Sequence, residues 1–355
     1  MTTPPLSGTL EVMTTSQRAS APLRLRLLDP DDAGDLQATV DVLAAAFAVD
    51  APWRRPPTVR GIRQEHVYGF DGDPEPFYLA HRGGDLVAVG ALVLPSRDNL
   101  DHAWVFAIVH PSARREGIGT WVYDTLEGHA VDAGRSVLGT FGRDLPHVHA
   151  FAVGRGYVAR SRSVARRLTF ADLPPGTADA VFTQALPYAA DYELLRVTGP
   201  LPEDLMAGYV HTVAAINDAP TDDLDVEDEL VDAERVRSFE RSRAERGETL
   251  YRVIARHRAT GDIAGHTVVT IDPDRPQFGD QYDTSVVHAH RGHRLGLLLK
   301  ADMMRWLAEA VPACAELTAS NAESNTHMIA VNEALGYRAL GTGVAYQRTL
   351  TSAAD

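Results

Sequence analysis

The sequence predicts an α+β protein built from two tandem copies of one fold, each a mixed, mostly antiparallel sheet flanked by helices. Three observations carry that reading. The chain is 355 residues long, whereas an ordinary domain holds about 100 to 200. The run Arg114-Arg115-Glu116-Gly117-Ile118-Gly119 returns 177 residues later as Arg291-Gly292-His293-Arg294-Leu295-Gly296, each time after an apolar stretch and before a helix-like segment. A Gly-Tyr pair follows each run by about 40 residues, Gly156-Tyr157 and Gly336-Tyr337, so a whole order of landmarks repeats.

The elements follow in order. LRLRLL from Leu23 alternates as a strand does, and DPDDAGDLQATVDVLAAAFAV has the acidic start that suits a helix N-terminus. FYLAHRGGDLVAVGALVL reads as two strands across Gly83-Gly84, followed by the strand WVFAIV, the helix GIGTWVYDTLEGHAVDAG and the strand SVLGTFG. The second copy repeats this with YELLRV, the helix PEDLMAGYVHTVAAIN, the strands LYRVIARH and IAGHTVVTID around Thr260-Gly261, and the strand YDTSVV. The helix HRLGLLLKADMMRWLAEA, the strand CAELTAS and the helix SNTHMIAVNEAL complete it. Residues 171–191 carry Pro174, Pro175, Gly176 and Pro187 and read as a linker between domains at 23–170 and 192–352.

Composition narrows the function. Hydrophobic residues make up 45% and charged residues 23%, ordinary for a globular protein. Lys and Arg total 34 against 48 Asp and Glu, a net charge of −14 that repels nucleic acid and suits a cationic substrate. The single cysteine, Cys314, lies in an apolar stretch and reads as a core thiol, so no cysteine-based metal site or disulfide is expected. No apolar run approaches the ~20 residues that span a bilayer, and residues 1–22 read as a disordered leader on a cytoplasmic protein, monomeric or homodimeric.

In each copy a strand runs through a glycine- and arginine-bearing turn into a helix. Such a turn aims backbone N–H groups and the positive end of a helix dipole at one spot, as pyrophosphate binding requires. Neither turn has the spacing G-x-x-x-x-G-K-S/T or the dinucleotide fingerprint G-x-G-x-x-G.

These residues resemble the GNAT N-acetyltransferase superfamily, whose motif has the form Q/R-x-x-G-x-G/A between its fourth strand and third helix. Arg114, Gly117 and Gly119 match all three fixed positions, while in the second copy Arg291 and Gly296 match and Arg294 stands where glycine is usual. The resemblance implies two tandem GNAT folds with splayed fourth and fifth strands. It implies acetyl-CoA held by Arg114, Arg115, Glu116, Gly117, Ile118, Gly119 and Thr120, and by Arg291, Gly292, His293, Arg294, Leu295, Gly296 and Leu297. Pantetheine contacts along Ile108–Val109 and Val286–Val287 are implied likewise. In architecture the chain also resembles the double GNAT enzymes of the mycothiol synthase type.

Family members carry N-x6-Y-x3-G-F/Y beyond the fifth strand. Here the second copy has Asn325, Asn332, Gly336 and Tyr337 at that spacing, and the first copy has Leu145 and Ala152 at the matching positions. The resemblance therefore implies that the second copy is catalytic, with Asn321 and Asn325 on the cofactor and with Asn332 and Tyr337 near the thiol. An ammonium acceptor must lose a proton before it attacks a thioester, so an acid–base group near the fourth strand is useful, and Asp283 is the first choice among Asp280, Asp283 and His288. The acidic run at residues 221–234 reads as a solvated face or as a funnel for a cationic amine. The expected reaction is direct acetyl transfer to the amine of a small molecule or peptide. The alternative is an acyl-CoA-binding sensor or scaffold without catalysis.

Overall fold

The computed structural model describes residues 21–350; the leader expected over residues 1–22 lies, save its last two residues, outside them. By contact the chain divides into two units, one ending at Ala159 but also taking Tyr346 onward, the other spanning Arg160–Ala345.

The first unit opens with strand β1 (Leu23–Leu27) and helix α1 (Ala33–Asp50). Asp32 caps α1 by accepting from the N–H groups of Gly34 and Asp35 at 2.8 and 3.1 Å, which satisfies two of the donors a helix start leaves open. Helix α2 (Val59–Tyr68) is capped by Thr58. Strands β2 (Phe77–Arg82), β3 (Asp85–Val93) and β4 (His102–Val109) form an antiparallel meander on β1. Helix α3 (Ile118–Asp132) then leads to β5 (Val137–Arg143) and α4 (Pro146–Gly154). Helices α1 and α2 bury Leu36, Leu43 and Ile62 against Leu79 and Val89 of the sheet. A Cβ on Gly90 would come within 3.0 Å of Val122 and Leu126, so glycine lets α3 lie close on β3.

Strand β6 (Val158–Thr169) belongs to the second unit from Arg160 on. Residues 171–191, expected as a linker, instead hold helix α5 (Thr177–Ala185), whose Asp179 accepts from Arg305 at 2.6 Å and whose Phe182 packs in the main core. Strand β7 (Tyr192–Thr198) and helices α6 (Glu203–Ala214) and α7 (Ala233–Glu245) follow. Then come β8 (Thr249–His257), β9 (Ile263–Ile271) and β10 (Phe278–Val286), helix α8 (Leu295–Ala310), β11 (Glu316–Ala322), α9 (Thr326–Ala334) and β12 (Arg338–Thr349). The strand order in this unit runs β6-β11-β10-β9-β8-β7. One core, with Leu298, Leu299 and Met303 of α8 at its centre, takes in α5, β8, β9 and β11; another joins α6 and α7 through Met206, Tyr209 and Val236.

Both units splay at the same place. Strands β4 and β5 pair in parallel only over His102–Trp104 with Val137–Gly139, and β10 and β11 only over Phe278–Asp280 with Glu316–Thr318. Beyond those three pairs each fourth strand runs on toward its loop without the fifth.

Candidate active site

The two loops have the same backbone path with the glycine moved. Left-handed φ values fall at Arg115 (67°) and Gly117 (81°) in the first unit, and at Gly292 (87°) and Arg294 (52°) in the second. A non-glycine residue in this region costs about 1–2 kcal/mol. At Arg294 the guanidinium lies 3.9 Å over the Tyr188 ring, a contact worth about 0.5–1 kcal/mol at an exposed site, so it offsets much of the strain. The side chain expected to reach a phosphate is thus directed to Tyr188, while His293 bonds the Tyr188 carbonyl at 3.2 Å.

Arg114 and Arg291 are likewise turned inward. Arg291 donates from Nε to the Val286 carbonyl at 3.1 Å and from a terminal nitrogen to Asp218 at 2.6 Å. Arg114 repeats this with Val109 at 3.2 Å and Asp50 at 3.0 and 2.6 Å. Both arginines brace their loops, leaving backbone N–H groups and the starts of α3 and α8 to face an anion. Val287 lies just past β10, and its N–H already donates to the Ala264 carbonyl. Ile108 and Val109 sit in a plain ladder opposite Val89 and Ala88.

The fourth strands differ. In β10 the register shifts between Gln281, opposite Val269, and Thr284, opposite Thr267. Tyr282 and Asp283 therefore share the single opposite residue Val268, a bulge that frees backbone groups from the ladder. The Gln281 amide pins the bulge by donating to the Val268 carbonyl at 2.7 Å and the Thr267 hydroxyl at 3.0 Å. Strand β4 pairs without a shift from Trp104 to Val109.

At the bulge the Asp283 carboxylate lies 2.6 Å from Nε2 of His266, a residue of β9 with no solvent exposure. The imidazole packs 4.8 Å from the Tyr209 ring of α6, and its Nδ1 has no partner. Tyr209 accepts from Arg252 at 3.1 Å, and Arg252 pairs with Glu240 at 3.0 Å. Burial would raise the Asp283 carboxyl, but the charge and hydrogen bond of His266, its own backbone N–H and Arg252 outweigh that and hold it below the usual range. The alignment of the repeats puts Val89 and Phe106 where His266 and Asp283 stand, so the first unit has no such pair.

Beyond the fifth strand the expected residues meet in part. Asn332 is fully buried and donates to Asn321 at 2.6 Å, while its own Oδ1 and the Tyr337 hydroxyl lack partners. Burial pushes the Tyr337 hydroxyl up, with Cys314 adding to it. Asn325 serves as the cap of α9, accepting from Met328 N–H at 3.1 Å. In the first unit, Phe151 of α4 lies 5.0 Å from Tyr123 and within 3.9 Å of a Cβ placed on Gly119. A Cβ on Gly296 meets nothing within 4 Å, and Val331 occupies the Phe151 position. Val109 and Phe151 thus adjoin Gly119, while the space beside Gly296 is open.

Comparison with known proteins bears on the fold. Residues 41–157 match the model of the Acetyltransferase (GNAT) family. A tandem GNAT protein from the clavulanic acid biosynthesis pathway, solved without AcCoA, superposes with a TM-score of 0.75 at 25% identity, covering 94% of this chain and 100% of its own. Residues 41–157 thus form a GNAT domain, and the fold of the chain is that of tandem GNAT proteins. A GCN5-related N-acetyltransferase from Sphaerobacter thermophilus superposes at 0.70 with 17% identity, over 94% of this chain and 97% of that one, and supports the fold. No curated protein matches. The GNAT fold serves acyl transfer from acyl-CoA to amines.

The family model falls on the first unit, which keeps the fuller loop pattern, while open space and unpartnered polar atoms that could take an acyl-CoA lie in the second. Gly292 and Gly296 face open space, and two buried polar atoms, Asn332 Oδ1 and the Tyr337 hydroxyl, lack partners. Sequence reading passed over Gln281, His266 and Lys300. The signal for Lys300 was present, because it is the single lysine among the 34 Lys and Arg residues. Among the described residues no helix is long and apolar enough to cross a membrane.

Proposed function

We propose that the second unit transfers an acetyl group from acetyl-CoA directly to the amine of a small molecule or peptide. The observation that carries this reading is the bulge at Tyr282–Asp283, present in β10 and missing from β4. An N–H turned out of the ladder can donate to a thioester oxygen as negative charge develops there. Acetyl-CoA supplies the activated acyl group. The N-terminus of α8, with Gly292 and Gly296, holds the pyrophosphate, and Asn321, Asn332 and Tyr337 face the thiol end.

Asp283 stays ionised at neutral pH and suits a cationic acceptor, holding its ammonium at the bulge and taking its proton. The acidic residues 221–232 lead into α7, which packs on α6, the helix that carries Tyr209, and this supports their role as a funnel for that cation. Cys314 is buried with its thiol 3.7 Å from the Glu316 carbonyl, a poor position for a covalent acyl carrier.

Calorimetry with CoA, followed by mass spectrometry of acetyl-CoA with a panel of amines, amino acids, aminoglycosides and peptides, tests the reading. We expect CoA binding and an acetylated product that disappears in Asp283→Asn. Binding without any product across the panel would favour an acyl-CoA sensor or scaffold, and no binding of CoA would overturn both.

A further inference from the structure

Of the 34 Lys and Arg residues only Lys300 is a lysine, and it is 2% exposed on the inner side of α8. The others carry guanidiniums, which keep their protons at any pH a protein meets, whereas an amine can lose its own. A lone cation in a core costs several kcal/mol where leucine or methionine would cost nothing. Stability therefore gives no reason for this lysine.

Its surroundings suggest what it does. Lys300 lies one turn beyond Gly296 on the same face of α8, the face over which Gly296 is open. Helix α8 leaves the loop alongside β10, so that turn, about 6 Å long, leads from the anion-binding end toward the bulge. The Nζ stands 4.7 Å from the centre of the Tyr337 ring, in the core where the Tyr337 hydroxyl and Asn332 Oδ1 are unpartnered. Among the described residues no carboxylate pairs with it. Asp302 on the same helix is taken by Arg196 and Arg305, and Cys314 is the other titratable group against Tyr337. Burial alone pushes the amine down to about 7.

The first unit closes every corresponding polar end. Tyr123 takes the place of Lys300 and bonds Thr140 at 2.7 Å, and Tyr157 takes the place of Tyr337 and donates to Glu127 at 2.9 Å.

We propose that Lys300 is the proton donor to the departing CoA thiolate in the second unit. As the acceptor nitrogen bonds to the carbonyl carbon, the C–S bond breaks and its electron pair goes to sulfur. Lys300 gives that sulfur a proton from its ammonium, becomes a free amine and regains a proton from solvent. Tyr337, raised by burial, is the weaker acid. The assignment rests on acyl transfer by this unit.

A single lysine makes the test direct. Protein grown with lysine labelled with carbon-13 at Cε gives one lysine resonance, which is titrated free, with CoA and with desulfo-CoA. We expect a midpoint near 7 in the free protein, raised by about one unit or more by CoA, whose thiolate pairs with the ammonium, but not by the analogue lacking sulfur. Lys300→Met should keep or raise Tm, bind CoA within about 3-fold and lose about 100-fold in kcat, with Lys300→Arg no better. An equal response to both ligands, no response while CoA binds, or unchanged kcat in Lys300→Met would overturn the proposal alone. Failure of CoA to bind the unaltered protein would overturn the acyl-transfer reading with it.

Discussion

Arg291 reaches Asp218 at 2.6 Å, and through the same guanidinium it holds the Val286 carbonyl. The bond ties the end of the fourth strand to the segment that ends the first helix of its unit. Arg114 and Asp50 repeat it in the first unit, so duplication has kept a brace as well as a motif.

The two braces should differ in strength. Arg291 and Asp218 are 44% and 49% exposed, against 25% and 21% for Arg114 and Asp50. Asp218→Asn should change stability by no more than about 0.5–1 kcal/mol, and Asp50→Asn, which breaks a two-bond pair in a drier setting, should cost about 1–3 kcal/mol. Urea denaturation of the two variants measures the difference.

Glutamate at Gly296 should leave the protein folded, because the added side chain meets open space, and should remove CoA binding and turnover by setting a negative charge against the pyrophosphate. Glutamate at Gly119 sets its Cβ in contact with Val109 and Phe151 and must fit the rest of its side chain beside them. It should cost about 1–3 kcal/mol of stability with little loss of kcat. Steady-state kinetics on both variants, with a larger kcat loss for Gly119→Glu, would move the active site to the first unit.

Asp283 should make the protein sensitive to acid. Its folded carboxyl is held below the ordinary value near 3.9, so it contributes stability at and above that value and loses it as pH falls through the lowered one. Asp283→Asn should be destabilised at pH 7, and the gap to the parent should close toward pH 2. Turnover should fall about 100-fold at pH 7. Denaturation at stepped pH and a kcat profile read both effects.

Cys314→Ala should keep kcat within about 2-fold and cost about 1 kcal/mol of stability, as for a small cavity in a core. The parent thiol should resist Ellman's reagent until the protein is unfolded, because Cys314 is buried. Loss of turnover with CoA binding retained would replace direct transfer by an acyl-enzyme.

Much of the fold was legible because its signals are local. The two loops announce themselves through Arg and Gly at set spacing, and the strands through apolar alternation. Helices α2 and α7 were not read, since VRGIRQEHVY and AERVRSFERSRAE show few apolar residues and owe their place to tertiary packing. Strand β6, reading VARSRSVARRLT, hides among arginines. Asp283 was legible as a carboxylate near the site, but His266 was not, because the bulge that brings them together depends on how Gln281 registers against β9. Asn325 was read for the cofactor and is used first by the helix it starts.

The first unit takes its last piece from the far end of the chain. Arg348 donates to Glu127 at 2.7 Å and to the Arg155 carbonyl at 2.8 Å, and the Leu350 N–H donates to the Ser136 carbonyl at 2.7 Å. During synthesis that unit must wait for residues 346–350, so at roughly 5–20 residues per second it stays unfinished for about 10–40 s after Ala159 is made. The usual order of birth is reversed: the second unit has all its residues before the first. Truncation after Ala345 should therefore be felt most by the domain that was translated first.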